Sequence, residues 1–231
     1  MIAPKATKPF IRFCGDYRWF NAYVLKTQAY IPRVQYEVEK AMGFQIFLDI
    51  DMTNSFHQFP LTTTSSQRLA IQSPWEPLFL PEGVSPASGH LQWTMMQMFG
   101  DFDEWSIVLF DNVLLLAHDA ADATVKLRKF LERCERHNVF LKMSKSWFGF
   151  SSVKFFGYKV TYGKREMDED RKKAIMDFQM PTCQREMQSF LGAALFFKSF
   201  VPNYSGIAAE LNKMTHKDFC CGSAKHGFTT T

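Results

Sequence analysis

The chain has 231 residues, of which 46% are hydrophobic, 22% charged and 16% aromatic, with 24 Phe and a formal net charge of +4. This composition excludes a disordered chain, because enough apolar side chain is present to build a core. No stretch approaches the roughly 20 uninterrupted apolar residues of a membrane helix, and Met1 to Phe10 lacks the apolar centre of a secretory signal, so an intracellular protein without a membrane partner is expected.

The five cysteines (Cys14, Cys134, Cys183, Cys220 and Cys221) show no CxxC pair and no Cys/His spacing suited to a metal, and read as reduced thiols. Residues 1–40 hold seven Lys or Arg against three Asp or Glu, so the basic excess is N-terminal, where it suits a phosphate chain as well as plain solubility. In chain order, Val34 to Met42 reads as a short amphipathic helix closed by Gly43, and Phe44 to Asp51 as a strand ending in acid. Phe56 to Leu61 and Arg68 to Gln72 read as short extended pieces, followed by a turn-rich connection through Ser73 to Pro86 and a helix over Leu91 to Phe99.

Trp105 to Ala117 predicts a β-hairpin with Asp111 and Asn112 at its tip. Asp119 can cap the next helix, whose apolar face is Leu127, Phe130, Leu131 and Cys134 and whose charged face is Lys126, Arg128, Lys129, Glu132 and Arg133. Val153 to Thr161 is strand-like and interrupted at Gly157, Asp168 to Phe178 is helical, and Gln184 to Val201 keeps the helical period until Pro202. The polar tail after Phe219 reads as unstructured, and helices mixed with antiparallel hairpins argue for an α+β fold.

Two acids stand out. Nucleotidyl transfer uses two divalent ions about 4 Å apart, and Mg²⁺ prefers carboxylate oxygens. An acid at a strand end meeting an acid at a hairpin tip supplies them, which fits Asp51 and Asp111. Taken singly, an acid between apolar runs is most often a turn or edge residue.

Residues 12–21 (RFCGDYRWFN) resemble the RFCxDYRxLN segment of gypsy-type LTR retrotransposon reverse transcriptases. Further blocks follow in the family's order. Residues 51–58 (DMTNSFHQ) resemble LDLxSGYHQ, residues 80–92 (LPEGVSPASGHLQ) resemble MPFGLxNAPATFQ, and residues 109–112 (LFDN) stand where YxDD occurs. Residues 141–145 (LKMSK) resemble LKxxK, 153–157 (VKFFG) resemble VxFLG, and 189–192 with 200–205 resemble the SFLG and FIPNFS of the thumb. The likeness spans roughly residues 5 to 218, and several ordered blocks are far more specific than one motif.

The resemblance implies a right-hand polymerase with an antiparallel palm sheet backed by helices. It divides the chain into fingers (1–43, lacking their beginning), palm (44–58), fingers (59–86), palm (87–162), thumb (163–218) and tail (219–231). It implies an RNA-directed DNA polymerase core that extends a primer on RNA or DNA with deoxynucleoside triphosphates, working in the cytoplasm, a virus-like particle or the nucleus. Two Mg²⁺, or Mn²⁺ in their place, would be held by Asp51 and Asp111, with the carbonyl of Ile50 or Met52 as an extra ligand and Asn112 in the second motif-C position. Lys142 and Lys145 fall in the motif-D region, where a lysine protonates the leaving pyrophosphate; solvated helix-end lysines are the competing reading.

Arg12 falls on the arginine that binds the incoming triphosphate, assisted by Lys5 or Lys8, and Glu82 and Gly83 lie in the nucleotide-facing loop. Phe56 matches the steric gate that crowds a ribose 2′-hydroxyl, although a core Phe is the plain alternative. Phe156 and Gly157 match the primer grip, and Arg18, Gln92, Arg171, Lys172 and Lys173 are expected at the template or duplex.

Three departures weigh against activity: Asn112 replaces an aspartate, Leu109 replaces the usual Tyr, and Glu82 adds an acid. Asp49, two residues before Asp51 and on the same strand face, offers a hypothetical replacement charge. A degenerate domain that binds nucleic acid without polymerising is the rival reading. Neither a ribonuclease H carboxylate set nor an integrase is recognisable in these residues, so further polyprotein domains are expected to lie elsewhere.

Overall fold

The structure is a computed structural model and describes residues 2–4, 11–13, 15–25, 32–70 and 79–215. The chain separates into two compact units, Met1–Glu166 and Met167–Thr231. In the first, β1 (Ile2–Pro4) and β2 (Ile11–Phe13) form an antiparallel pair, followed by α1 (Arg18–Tyr23) and α2 (Val34–Ala41). Next come β3 (Ile46–Asp51), a 3-10 turn (Ser55–Gln58), α3 (Thr63–Leu69) and α4 (Ala87–Phe99).

The hairpin β4 (Ser106–Leu109) and β5 (Asn112–Ala117) leads into α5 (Ala120–Arg136). After a 3-10 turn (Met143–Lys145) follow β6 (Trp147–Phe150), β7 (Ser152–Phe155), β8 (Tyr158–Thr161) and β9 (Lys164–Met167). The second unit holds α6 (Glu169–Met176), α7 (Gln184–Leu195), a 3-10 turn (Phe196–Ser199) and α8 (Tyr204–Lys213).

The central sheet has the order β4-β5-β3-β6 and its registered pairs are antiparallel. Strand alternation sends Leu48 and Ile50 of β3 and the following Met52, with Val113, Leu115 and Ala117 of β5, to one face, where Leu91, Met95 and Phe99 of α4 and Phe130 and Cys134 of α5 bury them. The opposite face of the same strands carries Phe47, Asp49, Asp51, Asn112 and Leu114. One sheet therefore has an apolar side that fixes its register and a side on which acids stand; a one-residue slip would exchange them.

Helix α5 begins where Asp119 accepts a hydrogen bond from Asp122 N at 2.8 Å, while the Asp122 carboxylate accepts from His118 N at 2.9 Å, a reciprocal cap worth about 1 kcal/mol. Its C-terminal turn is tied back by Arg133, which donates to Met98 O and to both oxygens of Asp101.

Two expected extended pieces are not strands. Ser55–Gln58 is 3-10, because Asn54 turns the chain at φ +43° and Gln58 is held at both ends of its amide, donating to Phe140 O and accepting from Phe140 N. Arg68 lies in α3, which Thr62 caps through Ser65 N and which buries Leu69 against Tyr17, Val84 and Ala87. Residues 71–78 and the tail from 216 onward lie outside the described residues. The helix expected across Gln184 to Val201 stops at Leu195 and tightens into the 3-10 turn.

Candidate active site

Asp51 is the last residue of β3 and stands opposite Asn112, the first of β5. One step on, Met52 N donates to Asp111 O at 3.1 Å, so the tip of the β4–β5 hairpin is fixed beside the end of β3. The chain positions of the two aspartates, 60 residues apart in sequence, are thereby adjacent in space. Asp111 is exposed at the turn and Asp51 is half-buried.

A third segment is strapped to the same strand end. Lys142 N donates to Asp51 O at 2.8 Å, Asp51 N donates to Ser146 Oγ at 3.2 Å, and Ser146 Oγ donates to Lys142 O at 3.0 Å. This strap brings Lys145 Nζ to 3.8 Å from Asp51 Oδ2. With the lysine 60% exposed, the pair contributes no more than about 1 kcal/mol, so its importance is placement and not stability.

Asp49 lies on the same face, opposite Leu114. Burial pushes its carboxyl pKa up; a hydrogen bond from the Asn112 amide pulls the other way, and the Asp51 charge raises it further. Asp49 Oδ1 and Asn112 Oδ1 are both buried without a hydrogen-bond partner. Among the described residues, no three His, Cys, Asp or Glu side chains converge as a metal cluster.

The hairpin tip depends on a residue expected elsewhere. Gln92, named above as a template contact, is fully buried in α4: its Nε2 donates to Val108 O at 3.0 Å and its Oε1 accepts from Phe110 N at 2.7 Å. Its polar atoms are therefore held by the hairpin and none faces a template. Phe110 adopts φ +54°, a conformation that costs a non-glycine residue about 1–3 kcal/mol and persists when the surroundings hold it. The ladder alternation that joins Met52 to Asp111 also makes Ile50 and Val113 a hydrogen-bonded pair, whereas Met52 follows the last residue of β3.

Phe56 is half-buried, packed against both the main core and the cluster of Tyr17, Leu69, Val84 and Ala87. Gly83 has φ +95°, and its carbonyl accepts from Asn21 Nδ2 at 2.9 Å while Asn21 Oδ1 accepts from Ser85 N, which holds the Glu82–Gly83 loop against α1. Phe156 and Gly157 form the two-residue β7–β8 turn with φ +48° and +83°. Arg18 is exposed and paired with Asp16, whose carboxyl its guanidinium holds down at about 2.

Arg12 lies in β2 opposite Ala3, and Lys5 and Lys8 lie outside the described residues. Arg171, Lys172 and Lys173 are exposed on α6 in the second unit, where Arg171 stacks on Phe196 at 4.9 Å and Lys172 pairs with Glu169. The structure thus gathers Asp51, Asp111, Asn112, Lys142 and Lys145 at one strand end. The supporting roles of Asn21, Gln58, Gln92 and Ser146 are not readable from local periodicity, because each amide or hydroxyl acts on backbone distant in the chain; the first three close the segments that resemble family blocks.

No family model matches the chain. It is 25% identical over 222 residues to the Tf2-7 and Tf2-8 transposon polyproteins of Schizosaccharomyces pombe, covering 94% of this chain. The chain spans 17% of the length of those relatives. Among solved structures, a foamy viral protease-reverse transcriptase (dRH) in complex with double-stranded DNA matches with a TM-score of 0.82 and 22% identity, over 92% of this chain and 38% of that one. The foamy viral protease-reverse transcriptase in complex with an RNA/DNA hybrid matches with a TM-score of 0.73 and 21% identity, over 93% of this chain and 29% of that one. The fold is therefore the α+β architecture of reverse transcriptases, with an antiparallel sheet backed by helices.

Proposed function

We propose that the chain is the polymerase core of a gypsy-type LTR retrotransposon reverse transcriptase, extending a primer on RNA or DNA with deoxynucleotides. The observation that carries this reading is the meeting of Asp51 and the hairpin tip through Met52 N and Asp111 O, with Lys145 strapped alongside. The likeness to proteins described in complex with double-stranded DNA and RNA/DNA hybrid supports a nucleic-acid partner.

The donors suit a hard divalent ion: two carboxylates, the Met52 carbonyl, and the Asn112 Oδ1, a buried oxygen without a partner. Bound there, Mg²⁺ or Mn²⁺ supplies activation of a primer 3′-hydroxyl and neutralises phosphate charge. The rest is done by the chain. Asp51 and Asp111 provide negative charge at the strand end, and Lys145, its Nζ 3.8 Å from Asp51 Oδ2, is the candidate proton donor to a leaving pyrophosphate. Phe56 crowds a ribose 2′-hydroxyl, and Arg12, with Lys5 and Lys8, neutralises the triphosphate. The exposed Arg171, Lys172 and Lys173 follow duplex phosphates.

The second reading, a nucleic-acid-binding domain without polymerase activity, is favoured by the amide at 112. Primer extension with Mg²⁺ and Mn²⁺ separates the two. Extension by the native chain, lost in Asp111→Ala, supports polymerisation; extension seen only with Asn112→Asp supports the second reading.

A further inference from the structure

The amide at 112 is the feature least expected of a polymerase site, and its surroundings give it a reason. Residues 49 and 51 project from one face of β3, and 112 is registered opposite 51, which makes 49 and 112 diagonal neighbours across the ladder. On that face Asp49 Oδ1 and Asn112 Oδ1 are both buried and unpartnered, and the neighbouring Asn112 amide offsets part of the burial that raises the Asp49 carboxyl. An amide can donate to Asp49 through its NH₂ and still keep an acceptor oxygen. A carboxylate at 112 would instead face the acids at 49 and 51 with no proton to donate, and like charges so placed repel.

We propose that Asp49 and Asn112 are a reciprocal pair, in which the carboxylate absent from 112 has moved to 49 and the amide at 112 orients it toward Asp51. Asp49 acts as a positioning residue: it adds negative charge beside Asp51 and fixes the Asn112 side chain through its hydrogen bond. The pairing itself is independent of function, whereas the use of its charge to hold a divalent ion rests on the polymerase reading above.

Four proteins test it: the native chain, Asn112→Asp, Asp49→Asn and the exchanged double variant. Thermal unfolding without metal or nucleotide reads the pair alone. Asn112→Asp is expected to lower the midpoint by several degrees, and adding Asp49→Asn is expected to recover most of that loss, because the amide and the carboxylate have merely changed places. A double variant whose loss equals the sum of the single losses overturns the pair. Should Asn112→Asp fail to fold, a folded double variant counts as rescue, and an unfolded one beside a folded Asp49→Asn overturns the proposal.

Mn²⁺ titration by electron paramagnetic resonance reads the charge role. Asp49→Asn is expected to weaken Mn²⁺ binding about tenfold, with the double variant close to native. Unchanged binding in Asp49→Asn overturns that role. Coupling in unfolding without any primer extension would leave the pair standing and remove the polymerase reading, so the two failures are distinguishable.

Discussion

Two tight hairpins of the first unit, β4–β5 and β7–β8, solve one backbone problem in different ways. Each has a two-residue turn that begins with a phenylalanine at positive φ, +54° at Phe110 and +48° at Phe156. In the β7–β8 turn the second residue is Gly157 at φ +83°, so the turn follows from local chemistry, and Phe156 is exposed with its ring against Phe155. Two positive φ values match the primed turns that suit strand twist. In the β4–β5 turn the second residue is Asp111, and no glycine is present to ease the strain. The brace is Gln92, reaching from α4 with both ends of its amide. The hairpin that carries a candidate ligand is therefore held by tertiary structure, whereas the other is held by its own sequence.

Breaking the brace is expected to have the largest effect. Gln92→Leu keeps the volume but leaves Val108 O and Phe110 N without partners, which should lower stability by about 2–4 kcal/mol in urea unfolding and reduce primer extension with it. Gly157→Ala introduces a side chain at φ +83° and should lower stability by about 1 kcal/mol. Phe156→Asn relieves the αL strain at an exposed position and should raise stability by less than about 1 kcal/mol, offset in part by loss of the Phe155 ring contact. A stability gain at 156 with no change in metal binding would sharpen the contrast between the turns; a gain from Gln92→Leu would erase it.

The smallest effect concerns Cys134, in the core behind the first hairpin. Burial pushes its thiol up to about 12, so native protein near neutral pH should leave Cys134 unalkylated while the partly exposed Cys183 reacts. Mass spectrometry after brief iodoacetamide treatment reads both sites.

The same contrast explains how much was legible in the sequence. The strand ending at Asp51, the hairpin around Asp111 and the cap at Asp119 follow from periodicity and from local hydrogen bonding, and all three are present. Asn54 and Thr62 act locally too, yet the segments after them read as extended, because their turn and cap chemistry lies among polar residues without a clear period. Gln92 departs from expectation for another reason. Its place at the template is what the resemblance implies, and only the packing of α4 under the hairpin shows that its amide completes another segment's backbone. The register that pairs Asp51 with Asn112 and sets Asp49 diagonal to it also depends on strands far apart in the chain.

The central claim is that residues 51 and 111 form one divalent-ion site at the strand end. Iron(II) substituted for Mg²⁺, with ascorbate and peroxide, generates radicals that cut the backbone beside the bound ion. Cleavage is expected at residues 50–52 and 110–112 together, suppressed by excess Mg²⁺ and absent in Asp111→Ala. Cuts confined to one of the two segments, or unaffected by that substitution, would contradict a shared site.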